Sequence, residues 1–290
     1  TSGLAQPDYP KDPNEAALVY SDLEHVVSAY NLLNKDSDTL QVLNEFYLSR
    51  ASAGLKEFIN RHGLTAEMIR EAIRKYPKDY SKIEHFLKRI GSFEQLYTQK
   101  LRDYKAFYQK ASYPPTYLMV GANRGIAQGS KVGQLVTVTA MLHSDEHLLK
   151  FIIHELTHFQ QAMAVGISKY GALFSQEKNM LGLCLREGAA EFVTFKITGT
   201  ITQDEALDYL QNHEEALKLS FMEDLTSQNK SQWLWESLEQ SAHPKLLGYA
   251  MGFKICEAYY EQSNDLDKAL TEILSITDAE TFLDQSKFFK

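Results

Sequence analysis

Hydrophobic positions from Glu15 to about Gln109 recur at intervals of three and four residues, and charged residues fill the gaps between them. This spacing places the apolar side chains on one face of each helix, so the segment is predicted to be helical throughout. Interruptions at Gly63, Pro77 and Gly91 divide it into several helices of medium length rather than a few long ones.

The pattern changes in the middle of the chain. Thr116 to Val120 predicts a strand, and Gln134 to Ala140 alternates β-branched with other residues, which is typical of a second strand. The glycine-rich stretch between them, residues 121–133, is predicted to be a mobile hairpin connection, because no Gly-Lys-Ser/Thr sequence closes it into a phosphate loop. After Ser144 the helical pattern returns and continues to the end of the chain.

These patterns together predict an α+β fold that is mostly α-helical. We expect an extended N-terminal segment over residues 1–14 and a helical region over 15–110. A core over residues 111–200 is expected to contain the strands and the two helices that carry the candidate catalytic and metal-binding residues. A helical C-terminal lobe is expected over residues 201–290. These regions are expected to form one compact unit.

Composition excludes several classes of protein. The 290 residues carry a net charge of −8 without a basic stretch, which argues against a nucleic-acid-binding protein. A hydrophobic content of 44 % argues against disorder, and no apolar run reaches the length of a transmembrane helix, so a folded, soluble protein is expected. Cys184 and Cys256 lie in apolar helical patterns and are predicted to be buried free thiols, although a disulfide between them remains an alternative.

The segment His154-Glu155-Leu156-Thr157-His158 is the sharpest chemical signal in the chain. Ser144 is a suitable N-cap for its helix. The two histidines are four residues apart, so both imidazoles project from one face and can reach a single metal ion, while Glu155 lies beside them. The alternative is an ordinary solvated face that binds nothing.

Two histidines are an incomplete zinc site, because catalytic zinc usually has three protein ligands and a water. Glu187 and Glu191 lie one turn apart on the apolar helix predicted from Leu181 to Ile197, and Glu187 is the expected third ligand of a Zn²⁺ ion. Gly188 and Ala189 add little bulk beside it, which is expected to let this helix approach the histidine helix closely.

The combination of H-E-x-x-H with a later E-x-x-x-E resembles the gluzincin group of zinc metallopeptidases. The resemblance implies that His154, His158 and Glu187 ligate zinc and that Glu191 orients a ligand histidine, with His154 as the expected one. Most gluzincins have Asp at the position of Glu191.

The wider pattern, from about Tyr113 to Tyr260, is similar to predicted bacterial zinc proteases related to the gliding-motility lipoprotein GldB. It includes a glycine- and aromatic-containing segment near the C-terminus, with Gly248-Tyr249 and Gly252-Phe253.

The mechanism implied by this resemblance uses Glu155 as the general base that takes a proton from the metal-activated water and passes it to the leaving amine. Tyr249 is the favoured donor to the developing oxyanion, with His243 and Tyr170 as alternatives. The strand from 134 to 140 is expected to present an unpaired edge to an extended peptide.

The expected activity is hydrolysis of a peptide or protein substrate. Two alternatives remain: a non-catalytic envelope or binding protein that keeps the scaffold, and a zinc hydrolase of a non-peptide amide or ester. A start without Met and the lipoprotein resemblance favour the bacterial periplasm, envelope or exterior over the cytoplasm.

Overall fold

Helices dominate the computed structural model, which describes residues 8–33, 38–125, 127–175, 179–227, 230–231, 233–235 and 243–290. The chain forms two compact units, one spanning residues 9–156 and the other containing residues 157–290. The boundary falls inside one continuous helix, Asp145–Val165. Most of the predicted extended N-terminal segment, residues 1–7, lies outside the described residues.

The first unit contains the predicted run of medium-length helices. They are α1 (Ser21–Leu32), α2 (Thr39–Phe46), α3 (Ala53–His62), α4 (Ala66–Lys75), α5 (Pro77–Lys88) and α6 (Ile90–Phe107). Gly63 ends α3 with a φ of 60°, a left-handed conformation that costs glycine little because it has no Cβ. Pro77 opens α5, where its missing N–H removes no helical hydrogen bond.

The apolar faces of these helices form the core of the first unit. The side chains that are at most 1 % exposed include Leu23, Leu43, Leu55, Phe58, Ile69, Ile83, Phe86 and Phe93.

A small four-stranded sheet belongs to the same unit. Its strands are β1 (Leu18–Val19), β2 (Thr116–Met119), β3 (Ala127–Ser130) and β4 (Gly133–Thr137). The spatial order is β1-β2-β4-β3, with β1, β2 and β4 parallel and β3 antiparallel to β4. Both predicted strands are confirmed in shortened form, whereas β1 lies in a region that was predicted to be entirely helical.

The glycine-rich connection differs from the prediction. It does not join two antiparallel strands, because β2 and β4 are parallel, and it contains β3, which forms the hairpin with β4. Ser130 and Gly133 close this hairpin, and the Ser130 hydroxyl donates to the Gly133 carbonyl at 2.7 Å. Gly133 has a φ of 137°, and a Cβ there would lie 2.2 Å from the Pro115 carbonyl oxygen, so the turn requires glycine.

The prediction of an unpaired edge on the strand at 134–140 is wrong. Strand β4 lies between β2 and β3, and both of its edges are hydrogen-bonded to those neighbours. Beyond the end of β4, the Val138 N–H still donates to the Met119 carbonyl at 2.9 Å. A peptide therefore has no free backbone edge to pair with along β4.

Helix α7 (Asp145–Val165) leads into the second unit. The helices that follow are α8 (Ile167–Ser175), α9 (Met180–Thr198), α10 (Asp204–Asn212), α11 (Glu214–Ser227), α12 (Leu247–Glu261), α13 (Leu266–Leu274) and α14 (Ala279–Ser286). Gly166 and Gly199 follow α7 and α9 with positive φ values of 94° and 82°. Glycine adopts this left-handed conformation at little cost, and it ends both helices.

Helices α9 and α12 approach each other very closely through glycine. A Cβ on Gly188 would lie 2.1 Å from the backbone carbonyl carbon of Gly252, and one on Gly252 would lie 2.0 Å from the Cys184 carbonyl oxygen. The three atoms nearest such a Cβ on Gly188 belong to Gly252 and Phe253 of α12. The structure therefore corrects the expectation that Gly188 brings the glutamate helix close to the histidine helix, because the close contact is made with α12.

The fold is α+β and mostly α-helical, as predicted. Cys184 and Cys256 are free and buried, which confirms the preferred interpretation of the two cysteines. Within the described ranges, no helix is both long and apolar enough to span a membrane. The packing of the sheet on the H-E-x-x-H helix, the gluzincin-like arrangement and the division at residues 14, 110 and 200 stay predictions.

Candidate metal centre

Helix α7 carries both histidines of the motif. The Ser144 hydroxyl oxygen accepts a hydrogen bond from the His147 N–H at 3.0 Å, which confirms Ser144 as its N-cap. Asp145 in the first turn is paired with Arg89. The apolar side of α7 is buried, with Leu149, Ile152, Ile153 and Leu156 at most 2 % exposed. This apolar anchoring fixes the rotation of the helix and hence the direction in which the histidines project.

His154, His158 and Glu187 come together as the sequence predicts. One ligand atom from each of these side chains lies within 4.8 Å of the other two. The Nε2 atom of His158 is 3.1 Å from Oε2 of Glu187. His154 and Glu187 are only 5 % and 3 % exposed, so ionisable groups are gathered here in a largely desolvated position.

This donor set fits zinc. Two imidazole nitrogens and one carboxylate oxygen are ligands of catalytic zinc sites, and three protein ligands leave a fourth position of the tetrahedron available. Ligand atoms around a tetrahedral ion with bonds of about 2.0–2.1 Å lie about 3.3 Å apart. The 3.1 Å separation between His158 and Glu187 is close to that spacing.

Arg186 holds the carboxylate of Glu187 from the other side. Its Nε donates to Oε1 of Glu187 at 2.9 Å, and its Nη2 donates to the same oxygen. The second oxygen, Oε2, is the one that faces His158. The guanidinium also lies 5.7 Å from the centre of the Trp235 ring. One carboxylate oxygen of Glu187 is thus held by the Arg186 guanidinium, while the other is directed at His158.

Gln161 and Tyr170 contact His158 at the ring nitrogen that does not face Glu187. Oε1 of Gln161 is 2.8 Å from His158 Nδ1, and Nε2 of Gln161 donates to the Arg186 carbonyl at 2.9 Å. The Tyr170 hydroxyl donates to the same Gln161 oxygen at 3.0 Å and lies 3.3 Å from His158 Nδ1. These side chains connect α7, α8 and α9 at the site.

Glu191 is completely buried one turn after Glu187. Its carboxylate accepts a hydrogen bond from the Thr202 N–H at 2.7 Å and another from the Thr202 hydroxyl. This pair fixes the segment that follows α9 to the helix. The orientation of His154 by Glu191, implied by the gluzincin resemblance, stays a prediction.

The remaining predicted catalytic residues are Glu155 and Tyr249. Glu155 is half-buried on α7, adjacent to His154. The Tyr249 hydroxyl accepts a hydrogen bond from Trp235 Nε1 at 3.1 Å. Burial, and secondarily the negative charge of Glu187, raise the pKa of Tyr249, so its hydroxyl keeps its proton at neutral pH and can donate it.

The two alternative oxyanion donors have different surroundings. Tyr170 is hydrogen-bonded to Gln161, as described above. His243 is hydrogen-bonded to the Tyr209 hydroxyl through Nδ1, and its ring lies 5.2 Å from the tyrosine ring.

Sequence reasoning missed the supporting roles of Gln161 and Arg186. A weak signal existed for each, since Gln161 is three residues after His158 on the same helix and Arg186 directly precedes Glu187. Neither spacing predicts these contacts by itself. Gln161 also donates to a backbone carbonyl on α9, and Arg186 donates to the carboxylate of the adjacent residue.

Comparison with known proteins adds one finding. The model of a family described as predicted Zn-dependent protease (DUF2268) matches residues 98–284, which include the H-E-x-x-H segment, the segment with Glu187 and Glu191, and the glycine-containing segment of α12. Neither the comparison with curated proteins nor that with solved structures finds a match.

Proposed function

The chain belongs to the DUF2268 family of predicted Zn-dependent proteases, and from that premise we propose that it is a gluzincin-type zinc metallopeptidase. His154, His158 and Glu187 would hold the ion. The observation that carries the proposal is the convergence of these three side chains from two helices to within 4.8 Å of one another.

A bound zinc ion supplies Lewis acidity, activating water at neutral pH and polarising the scissile carbonyl. Glu155 is the proposed general base. Its carboxylate takes a proton from the attacking water and delivers it to the leaving amine nitrogen. The half-buried position of Glu155, next to His154 on α7, supports this role.

Tyr249 is the proposed donor to the developing oxyanion. Its retained proton supports this role, because a neutral hydroxyl can donate a hydrogen bond to an oxygen on which negative charge develops. Burial is the main cause of the raised pKa of Tyr249, and the negative charge of Glu187 is the second.

Glu191 is proposed to orient His154. A carboxylate can accept about four hydrogen bonds, so the two donated by Thr202 leave capacity for an imidazole N–H. The substrate is proposed to be a peptide or protein.

The experiment combines metal analysis with turnover of a peptide library. We expect the zinc-loaded protein to hold one ion per chain and to cleave peptides. Glu155→Gln should keep the zinc and lose about 10²–10⁴-fold in kcat, because it removes the base without removing a ligand. Glu187→Ala should lose stoichiometric zinc.

Glu146→Gln is the matched control, since Glu146 is an exposed acid in the first turn of the same helix. It should behave like the unmodified protein. Undiminished peptide turnover by Glu155→Gln would contradict the mechanism, and stoichiometric zinc in Glu187→Ala would contradict the ligand set.

A further inference from the structure

Trp235 is a large apolar side chain that is 54 % exposed although it touches residues of the candidate site. We propose that Trp235 is a substrate-binding residue, whose indole receives an aromatic or large aliphatic side chain of the peptide next to the scissile bond. This inference rests on the proposed function and deepens it, because it names the class of peptide that the site takes. The contacts that support it lie within the second unit.

The segment that carries Trp235 is anchored by Trp233, which is completely buried. Nε1 of Trp233 donates to Oδ2 of Asp224 at 2.8 Å, and its ring packs edge-on against Phe221 with the ring centres 4.9 Å apart. The Trp233 carbonyl accepts a hydrogen bond from the Gly248 N–H at 2.8 Å, and a Cβ on Gly248 would lie only 2.5 Å from that oxygen. Trp235 follows two residues later, so its backbone is held against the first turn of α12 while its side chain is exposed.

Two contacts orient the indole of Trp235. Its only hydrogen-bond donor, Nε1, donates to the Tyr249 hydroxyl at 3.1 Å. The Arg186 guanidinium, which holds the carboxylate of Glu187, lies over the ring at 5.7 Å from its centre. The polar edge of the ring is thus directed at Tyr249 and one region of its face at Arg186, so the exposed apolar surface has a defined orientation.

The distance from Trp235 to a bound peptide follows from the proposed role of Tyr249. A hydroxyl that donates to the scissile carbonyl oxygen lies about 2.7–2.8 Å from it. Nε1 of Trp235 is 3.1 Å from the same hydroxyl, so it lies within about 6 Å of the carbonyl oxygen. Residues of an extended peptide are about 3.3–3.6 Å apart. The indole is therefore within reach of the side chains on either side of the scissile bond.

The chemistry of the indole favours an uncharged partner. An exposed aromatic face gains from burial against an apolar side chain, and an aromatic partner adds a ring–ring interaction. Lysine or arginine could also bind an aromatic face through a cation–π contact. The Arg186 guanidinium already places positive charge at this ring, so a basic side chain of the peptide would meet a like charge. Aromatic and large aliphatic side chains are therefore preferred over basic ones.

The test uses peptides in which the residue on each side of the scissile bond is varied among Phe, Leu, Ala and Lys. At one of these two positions, we expect the zinc-loaded protein to prefer Phe and Leu over Ala by about tenfold in kcat/KM, a value typical of one aromatic contact. Lys should be no better than Ala.

Variants of Trp235 separate binding of the peptide from support of Tyr249. Trp235→Ala should remove the preference by raising KM for the Phe and Leu peptides. Trp235→Phe keeps an aromatic surface and removes only the hydrogen bond to Tyr249, so it should keep the preference whatever its effect on kcat. Leu219→Ala is the matched control, since Leu219 is 70 % exposed on α11, and it should leave KM and the preference unchanged.

A binding measurement tests the same contact without turnover. In the Glu155→Gln protein, acrylamide quenching of tryptophan fluorescence reports mainly on Trp235, because Trp233 is buried. A saturating Phe peptide that contains no tryptophan should reduce the quenching. The same peptide should cause no such reduction in the double variant Glu155→Gln/Trp235→Phe.

Three results would overturn the inference and leave the proposed function intact. They are cleavage of peptides without a preference for Phe or Leu, an unchanged preference in folded Trp235→Ala, and peptide binding to Glu155→Gln without protection from acrylamide. A zinc-loaded protein that cleaves no peptide would overturn the proposed function, and this inference with it.

Discussion

Substituting Gly252 with alanine tests the packing that positions the helix of Glu187. The new Cβ would lie 2.0 Å from the Cys184 carbonyl oxygen and 3.0 Å from the Gly188 Cα. Both are backbone atoms of α9, so no side-chain rotation relieves the contact. The carbonyl would have to retreat by about 1.4 Å to reach the 3.4 Å at which ordinary van der Waals contact begins.

Because the backbone itself must move this far, the loss in free energy of unfolding should lie at the upper end of the range observed for overpacked cores. Overpacking typically costs 1–3 kcal/mol, so we expect Gly252→Ala to lower the free energy of unfolding by about 3 kcal/mol. Gly188 directly follows Glu187, so separation of α9 from α12 should also weaken zinc binding by the folded protein.

Urea denaturation followed by tryptophan fluorescence measures this effect, because both tryptophans, Trp233 and Trp235, lie in the second unit. Gly171→Ala is the matched control. A Cβ at Gly171 would meet nothing within 4 Å, so alanine should leave stability unchanged or raise it by about 0.5–1 kcal/mol. A Gly252→Ala variant within about 0.5 kcal/mol of the unmodified protein would refute the packing argument.

Two further predictions concern buried polar groups. Thr202→Val removes the hydroxyl that donates to the buried Glu191 carboxylate, and should cost about 1.5–3 kcal/mol in urea denaturation, whereas the exposed control Thr226→Val should cost less than about 0.5 kcal/mol. Equal losses in the two variants would contradict the assigned role of Thr202. Burial raises the pKa of Tyr97 to about 12. The stability that depends on its neutral hydroxyl is therefore fully present below about pH 10 and is lost as the pH rises towards 12. Tyr97→Phe should therefore reduce the alkaline loss of stability by an amount on the order of 3 kcal/mol, and an unchanged pH dependence would contradict this.

The helix ends and the histidine motif could be predicted from the sequence, because the residues that determine them are close together along the chain. Ser144 caps α7 through a residue only three positions away, and Gly63 and Pro77 act through their own backbone dihedral angles. The pairing of His154 with His158 follows from helical geometry alone.

The sheet was only partly predictable because strand pairing depends on residues that are distant along the chain. Strand β1 has two residues, too few to show an alternating pattern, and it pairs with β2 nearly one hundred positions later. The edge assignment of β4 was wrong for the same reason. A period of two residues identifies a strand but does not identify its neighbours.

The supporting residues of the site were hidden for a different reason. Gln161 acts through a backbone carbonyl on α9, and Gly188 acts through the backbone of α12. A sequence shows which residue types can make such contacts, but the partner becomes known only when the helices are placed in space.

The most direct test of the central claim is a crystal structure of the zinc-loaded protein with anomalous diffraction measured at the zinc edge. The account predicts a single strong anomalous peak about 2.0–2.2 Å from one nitrogen each of His154 and His158 and from a carboxylate oxygen of Glu187. A zinc peak elsewhere, or one at this position from which the Glu187 carboxylate turns away, would contradict it.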